Sequence, residues 1–301
     1  MTRCRGSVKA LAGALTVLFC CYGSIRNANA EAADGPQPSE AAPAPEQKRT
    51  LPFLADEARK AGYELPLPFG VGLVFTGLDN RAIDVTDVRI GLEGSPQSVS
   101  DFVDLGSSSR VFNANLKLDA WLLPFLNVYA IAGYVYNDST THLSVTIPRP
   151  GPIPGEIHSE RTVNTKLEGL IGGVGMTLAG GWREFFMVGD VNYVQTDLGF
   201  DDDFTALIAS VRTGWAGKLG GIPMQIWGGV GNWDTSATAK GHVDIEGVGR
   251  LVFEADQKPQ TPWIYDIGSN MQLSERLQLF LDVGFDFEGA YVVVIGPTYR
   301  F

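Results

Sequence analysis

The stretch LQLFLDVGFDF, residues 277–287, decides the fold of this chain, because it alternates between two kinds of side chain. Every odd position is leucine, valine or phenylalanine, whereas Gln278, Asp282 and Asp286 stand at even positions. Successive side chains of a β-strand point to opposite faces of its sheet. The stretch therefore predicts a strand with one apolar face and one mostly polar face.

The same alternation occurs in other parts of the chain. Lys117 and Asp119 share one face of residues 112–122 with two asparagines, and Asp266 shares one face of residues 263–273 with asparagine and glutamine. A soluble β-sandwich can also alternate in this way. These polar faces, however, are rich in Gly, Asn, Asp and Gln, which is typical of the crowded lumen of a transmembrane barrel.

Counting such segments predicts ten strands between Pro68 and Phe301. They are residues 69–77, 112–122, 126–137, 166–179, 185–196, 204–215, 224–233, 263–273, 277–287 and 291–301. An even number suits a closed antiparallel barrel in a single chain, and short and long connections alternate as periplasmic turns and external loops do. The predicted fold class is therefore all-β, a single antiparallel transmembrane β-barrel with a short N-terminal helix. In the motif GLIGGVG, residues 169–175, alternation does not show which residues face the lumen and which face outward, and the glycines predict a bulge.

Aromatic residues fall near both ends of these segments, as expected where Trp and Tyr meet a membrane interface. The predicted lower rim, at the short turns, contains Phe69, Trp121, Phe125, Trp182, Phe185, Trp215, Tyr299 and Phe301. The predicted upper rim contains Tyr134, Tyr136, Tyr193, Trp233, Trp263, Phe285, Phe287 and Tyr291.

The N-terminal region predicts export. Residues 1–30 combine basic residues, a short apolar run and an Ala-Asn-Ala ending, which is the layout of a signal peptide cleaved after Ala30. All three cysteines lie in this part, and its removal changes the formal charge from −11 to −15. Residues 31–49 are rich in Ala and Pro and predict a disordered leader. Residues 50–62 predict a short amphipathic helix, either a plug or a helix at the periplasmic rim.

The chain end YVVVIGPTYRF resembles the last strand of Gram-negative outer-membrane barrels, with Tyr299 and Phe301 as its aromatic residues. LKLDAWLLPFLNVYAIAGY and GVGMTLAGGW are similar to segments of a poorly characterised group of such barrels. This resemblance implies residence in the outer membrane. It also implies contact with the lipid bilayer and lipopolysaccharide, and transient recognition of the last strand by the barrel-assembly machinery. The oligomeric state stays open.

The charges predicted to line the lumen indicate the first functional hypothesis. They are Lys117, Arg212 and Arg300 together with Asp119, Asp190, Asp266, Asp282 and Asp286. Ten strands leave at most a narrow path, and three cations cannot neutralise five carboxylates. We therefore expect a largely closed, cation-preferring channel for small solutes. Asp282 and Asp286 are its expected selectivity residues, because the nearest basic candidate on the next strand, Arg300, lies near the lower rim.

Two alternatives remain beside the channel. One is a barrel with a structural or adhesive surface role and no transport. The other is an omptin-like outer-membrane protease, because His242 and Asp244 share one face of an extended segment and resemble the acid and histidine pair of the omptins. Further carboxylates for it, or for a divalent cation bridging to lipopolysaccharide, are Asp84, Asp87, Asp201, Asp202 and Asp203. Because the sequence contains no catalytic motif longer than this His-x-Asp pair, we expect neither enzymatic activity nor a cofactor. The acidic balance excludes nucleic acid as a partner.

Overall fold

The computed structural model describes residues 51–301, apart from residues 61, 63–64, 93–95, 99–102, 149–155, 200–203, 236 and 246–248. The predicted signal peptide and leader lie outside this part. The described elements are α1 (Ala55–Lys60), β1 (Phe69–Leu92), β2 (Gln97–Ser98), β3 (Val103–Leu123), β4 (Leu126–Pro148), β5 (Glu156–Trp182), β6 (Phe185–Asp197), β7 (Phe204–Leu219), β8 (Ile222–Asp234), β9 (Ala237–Ile245), β10 (Gly249–Pro259), β11 (Trp263–Gln272), β12 (Leu277–Phe285) and β13 (Tyr291–Arg300).

Ten of these strands close into a barrel. Every neighbouring pair is antiparallel in the order β1, β3, β4, β5, β6, β7, β8, β11, β12, β13, and β13 pairs back with β1. Closure leaves the ring itself without an open edge, so its strands hydrogen-bond on both sides there. Above the ring, residues 156–169 of β5 pair with β4 but not with β6. The predicted fold class is confirmed, and each predicted segment coincides with one barrel strand to within two residues or lies inside it.

Four barrel strands are much longer than a bilayer requires. β1, β3, β4 and β5 contain 24, 21, 23 and 27 residues, whereas a tilted strand crosses a membrane in about 9–11 residues. Their extra length lies at the end with the long connections. The structure therefore has a tall sheet on one side of the barrel.

The connection between β8 and β11 also contains structure that the sequence analysis did not predict. β9 and β10 form a hairpin, and β10 pairs with β1 from Ile83 to Leu92. This hairpin is supported by a strand far away in the chain, so local alternation alone does not indicate it.

The predicted bulge near residues 169–175 is wrong, because β5 pairs with β4 and β6 in unbroken register. The register shifts instead in β1, between Leu78 and Arg81. Asn80 has a left-handed φ of 57° at this point. The irregularity changes which positions of β1 face inward, so Leu78 and Arg81 are both buried although they stand an odd number of positions, three, apart.

The helix is shorter than predicted, six residues instead of residues 50–62. Leu54 before it and Gly62 after it have φ values of 66° and 89°, outside the right-handed helical region. The backbone nitrogen of Phe53 donates to the oxygen of Leu122 at 2.8 Å, which ties this segment to the short-turn end of the barrel. In the part of the chain that the structure describes, no helix is long and apolar enough to cross a membrane.

Most predicted rim aromatics face outward and are exposed, including Trp182, Phe185, Tyr193 and Trp263. Trp121 and Trp233 are exceptions, because both are buried inside the barrel. Trp121 has the same parity as Lys117 and Asp119, so the pleat turns it inward. Their assignment to the membrane-facing bands was wrong.

Candidate functional site

The interior of the barrel is the candidate site. The eight charged residues named from the sequence all lie there, each only 2–7% exposed. A buried charge is costly unless it is paired and hydrogen-bonded. Their contacts therefore show how the barrel tolerates them, and they form several separate clusters.

Arg212 on β7 is the centre of the first cluster. Its Nε donates to Asp266 Oδ1 on β11 at 2.9 Å, and its Nη2 lies 3.3 Å from Asp282 Oδ2 on β12. Its Nη1 donates to the hydroxyl of Ser210 at 2.7 Å. Asp282 therefore has a cation nearby that lies on β7 and not on the next strand, where the sequence analysis looked for one. Arg212 reaches across β8, which the order of strands along the chain does not reveal.

A glycine makes this reach possible. Gly229 on β8 stands directly between Arg212 on β7 and Asp266 on β11 in the strand register. A Cβ atom at this position would lie 2.5 Å from Arg212 Cγ and 2.7 Å from Asp266 Oδ1. Any side chain there would occupy the space of the ion pair.

Arg300 near the end of β13 forms the second cluster. Its Nη2 lies 3.0 Å from Asp119 Oδ1 on β3, and its Nε donates to Gln278 Oε1 at 3.0 Å. Asn127 Nδ2 also donates to Asp119 Oδ1, at 2.8 Å. Between the two charged residues lies Gly70 on β1, which pairs with both and whose absent side chain leaves room for Asp119.

Asp190 on β6 is the centre of the third cluster. It accepts hydrogen bonds from the hydroxyls of Thr177 and Tyr129, at 2.6 and 2.9 Å. Lys117 Nζ lies 4.6 Å from the centre of the Tyr129 ring, a cation–π contact. Tyr129 stands on β4 and crosses Gly175 of β5, whose missing Cβ leaves room for the ring. Across each of the three clusters, a glycine on the middle strand lets side chains two strands apart meet.

Asp286, the other expected selectivity residue, makes hydrogen bonds to the backbone of a turn. Its Oδ1 accepts the backbone N–H groups of Glu288 and Ala290 at 2.8 and 2.9 Å. This carboxylate therefore holds the turn between β12 and β13. It is buried directly after the end of β12, where it stabilises this turn.

Sequence reasoning missed one lumen cation, Arg81 on β1, which is 1% exposed. The register shift beside it turns its side chain inward, and regular alternation through residues 69–77 gives no sign of that. Among the described residues, the buried charges are now four basic and five acidic. The expected excess of two negative charges is thus reduced to one.

Apolar side chains fill much of the remaining interior. Trp227 stacks on Phe280 with ring centres 5.2 Å apart and meets Phe186 edge-on at 6.5 Å. Trp121 is fully buried toward the short-turn end. Aromatic rings and ion pairs together pack the space between the strands, as expected for a barrel of few strands.

The external candidates lie apart from these clusters. His242 is exposed on β9, and the side chain of Asp244 lies outside the described residues, as do Asp201, Asp202 and Asp203. Asp84 accepts a hydrogen bond from Gln260, and Asp87 pairs with Arg89 at 3.1 Å. Within the described ranges, no group of three or more His, Cys, Asp or Glu residues is placed to hold a metal ion.

The chain end lies at the seam where the barrel closes. Phe301 and Phe69 exchange two backbone hydrogen bonds, at 3.0 and 3.2 Å, and their rings stack at 5.9 Å. The aromatic ring of Tyr299 continues this stack at 6.5 Å from Phe301. Recognition of Tyr299 and Phe301 by the assembly machinery stays a prediction.

Comparisons with known proteins find similarity in structure only. No protein-family model and no curated protein matches the sequence. The outer membrane protein OprG from Pseudomonas aeruginosa is 14% identical, with 79% of this chain and 98% of that chain covered and a TM-score of 0.41. The transport unit of the autotransporter AIDA-I from Escherichia coli is 10% identical, with 78% of this chain and 90% of that chain covered and a TM-score of 0.38. The toluene transporter TbuX from Ralstonia pickettii is 9% identical, with 79% of this chain and 90% of that chain covered and a TM-score of 0.32. Because these sequence identities and TM-scores are low, the fold of this chain is assigned from its own strand pairing.

Proposed function

We propose that this chain is an outer-membrane barrel of a Gram-negative bacterium. The outward positions of its barrel strands expose large apolar side chains, such as Leu170, Val174 and Ile267. Water-soluble proteins rarely expose an apolar surface that surrounds the whole molecule, whereas a bilayer requires one. The end of the barrel with the long connections then faces the cell exterior, and the end with the short turns faces the periplasm.

Single cysteines test this orientation in the chain without residues 1–30, which contain all of its cysteines. We expect His142→Cys to react with a membrane-impermeant maleimide on intact cells, because His142 is exposed on the long extension of β4. Glu275→Cys, in an exposed short turn, serves as the matched control and should react only after the outer membrane is opened. The reverse pattern would show that the barrel is inserted the other way up.

For its activity, we propose a narrow, largely closed channel that passes small cations. The observation that carries this proposal is the Arg212 cluster, in which two buried carboxylates share a single guanidinium. Such a cluster retains one negative charge in a water-poor space, which favours a cation over an anion. The filled interior around it supports a small conductance.

Planar-bilayer recording of the purified protein tests the channel. We expect small, cation-selective steps, because the net charge of the described buried lumen residues, four basic and five acidic, is negative. Asp282→Asn should reduce the cation selectivity severalfold, whereas Glu275→Gln in the exposed turn should leave it unchanged. Large anion-selective steps from the wild type would contradict both the closed lumen and its charge.

A structural or surface role is the second candidate, favoured by the tall wall that β1, β3, β4 and β5 build together with the β9–β10 hairpin. A scaffold would need a rigid interior, which the ion pairs provide. Deleting the hairpin, residues 237–259, would then change envelope integrity or adhesion while solute uptake stays the same. A changed uptake with intact adhesion would favour the channel instead.

A further inference from the structure

The base of the connection between β8 and β11 crosses the external end of the barrel, because it lies beside β1, which is three strands away from β11 in the ring. This connection leaves the barrel after Trp233 and returns at Pro262, and the nitrogen of Trp233 donates to the oxygen of Pro262 at 2.7 Å. Gln260 donates to the oxygen of Ala82 on β1 at 3.2 Å. The base of the connection is thus held against β1.

The side chain of Arg81 on β1 contacts both ends of this base. Its Nη2 donates to the oxygen of Trp233 at 3.2 Å and to the oxygen of Thr261 at 3.3 Å. Its guanidinium carbon lies 6.0 Å from the centre of the Trp233 ring. A single nitrogen therefore joins the strand that leaves the barrel to the strand that returns.

The surroundings of this guanidinium do not satisfy it fully. Within the described ranges, its Nε and Nη1 atoms have no hydrogen-bond partner, and no carboxylate lies within ion-pair distance. Asp286 attracts it only from farther away. In water, all five N–H groups of a guanidinium are hydrated. The buried position of Arg81 therefore carries a desolvation cost, which would be relieved if the connection moved away and water reached the side chain.

We infer that Arg81 is a latch at the external mouth of the barrel, which holds the β8–β11 connection closed over the lumen and places a positive charge in the path of entering cations. Arg81 thereby limits the conductance of the wild-type barrel and weakens its preference for cations. The effect on conductance rests on the proposed channel function. The closing of the mouth does not.

A buried position just below the latch reports its state without any need for transport. Val292 faces inward on β13, is buried, and pairs with Leu78, three residues before Arg81. In the chain without residues 1–30, we expect Val292→Cys to react slowly with a hydrophilic maleimide. Adding Arg81→Gln should accelerate this reaction at least about tenfold, since buried groups react through opening of the structure.

Two further variants control the experiment. Arg110→Gln removes an exposed, outward-facing guanidinium at a similar height and should leave the labelling rate at the Val292→Cys value. Arg81→Lys keeps the positive charge, but the lysine side chain is shorter, so its ammonium does not reach the position of Nη2 between the oxygens of Trp233 and Thr261. Its labelling should therefore also be accelerated. If Arg81→Gln fails to fold, judged by heat-dependent migration in gels, Arg81→Lys carries the test.

The outcomes separate the latch from the channel. If Val292→Cys reacts in the folded Arg81 variants at the same rate as in the chain that keeps Arg81, the latch is overturned. Faster labelling with silent bilayers would support the latch and contradict the channel. Faster labelling together with larger, more cation-selective steps in Arg81→Gln would support both.

Discussion

Replacing Arg212 with methionine is expected to destabilise the barrel by about 3–5 kcal/mol, the usual cost of removing one partner of a buried ion pair. Methionine retains most of the length of the side chain but no charge. Asp266 and Asp282 would then lie buried beside each other without the cation that both contact. Urea titration of the purified barrel in detergent, followed by tryptophan fluorescence and by heat-dependent gel migration, measures the loss.

Two matched variants show whether the lost charge balance is the cause. Adding Asp266→Asn and Asp282→Asn to Arg212→Met removes the unpaired carboxylates and should restore much of the stability. Arg110→Met breaks an ion pair with Asp79 whose arginine side chain is 72% exposed, so it should change the midpoint little. An Arg212→Met barrel with the wild-type midpoint would show that the cluster contributes nothing to stability.

Replacing Gly229 with valine is expected to be at least as damaging, although no charge is removed. The new Cβ would overlap the positions of Arg212 Cγ and Asp266 Oδ1, so the ion pair must separate or the strands must move. Overpacking costs about 1–3 kcal/mol, and separating the buried pair adds a cost of about the size expected for Arg212→Met. The same urea titration measures the sum.

The neighbouring glycine provides the control. A Cβ atom at Gly228 would face outward and meet only the backbone oxygen of Asp266, at 3.8 Å. Gly228→Val has the same change in composition and in β-propensity as Gly229→Val, so it should fold normally. Equal loss of stability in both variants would mean that strand flexibility, rather than space for the ion pair, is what the glycines provide.

The local pattern of the sequence determined the ten barrel strands and eight of the nine buried charges among the described residues. Alternation is a property of a single strand, because the pleat alone sends Lys117 and Asp119 to one face and their neighbours to the other. Since ten such strands run through the chain with short and long connections in turn, the closed antiparallel barrel followed from the sequence. The burial of Trp121 could also have been predicted, because Trp121 lies on the same face of its strand as Lys117 and Asp119. The sequence-based prediction used only its position near the end of the strand.

Only the tertiary structure decided which charges meet. Arg212 contacts carboxylates two and three strands away, and this depends on the stagger of the strands around the barrel and on the gap at Gly229. Arg81 turned inward because β1 departs from strict alternation beside Asn80, and the β9–β10 hairpin formed because β1 was long enough to pair with it. Period-two patterning describes each strand by itself, whereas register, bulges and contacts across a closed sheet are set by all of the strands together.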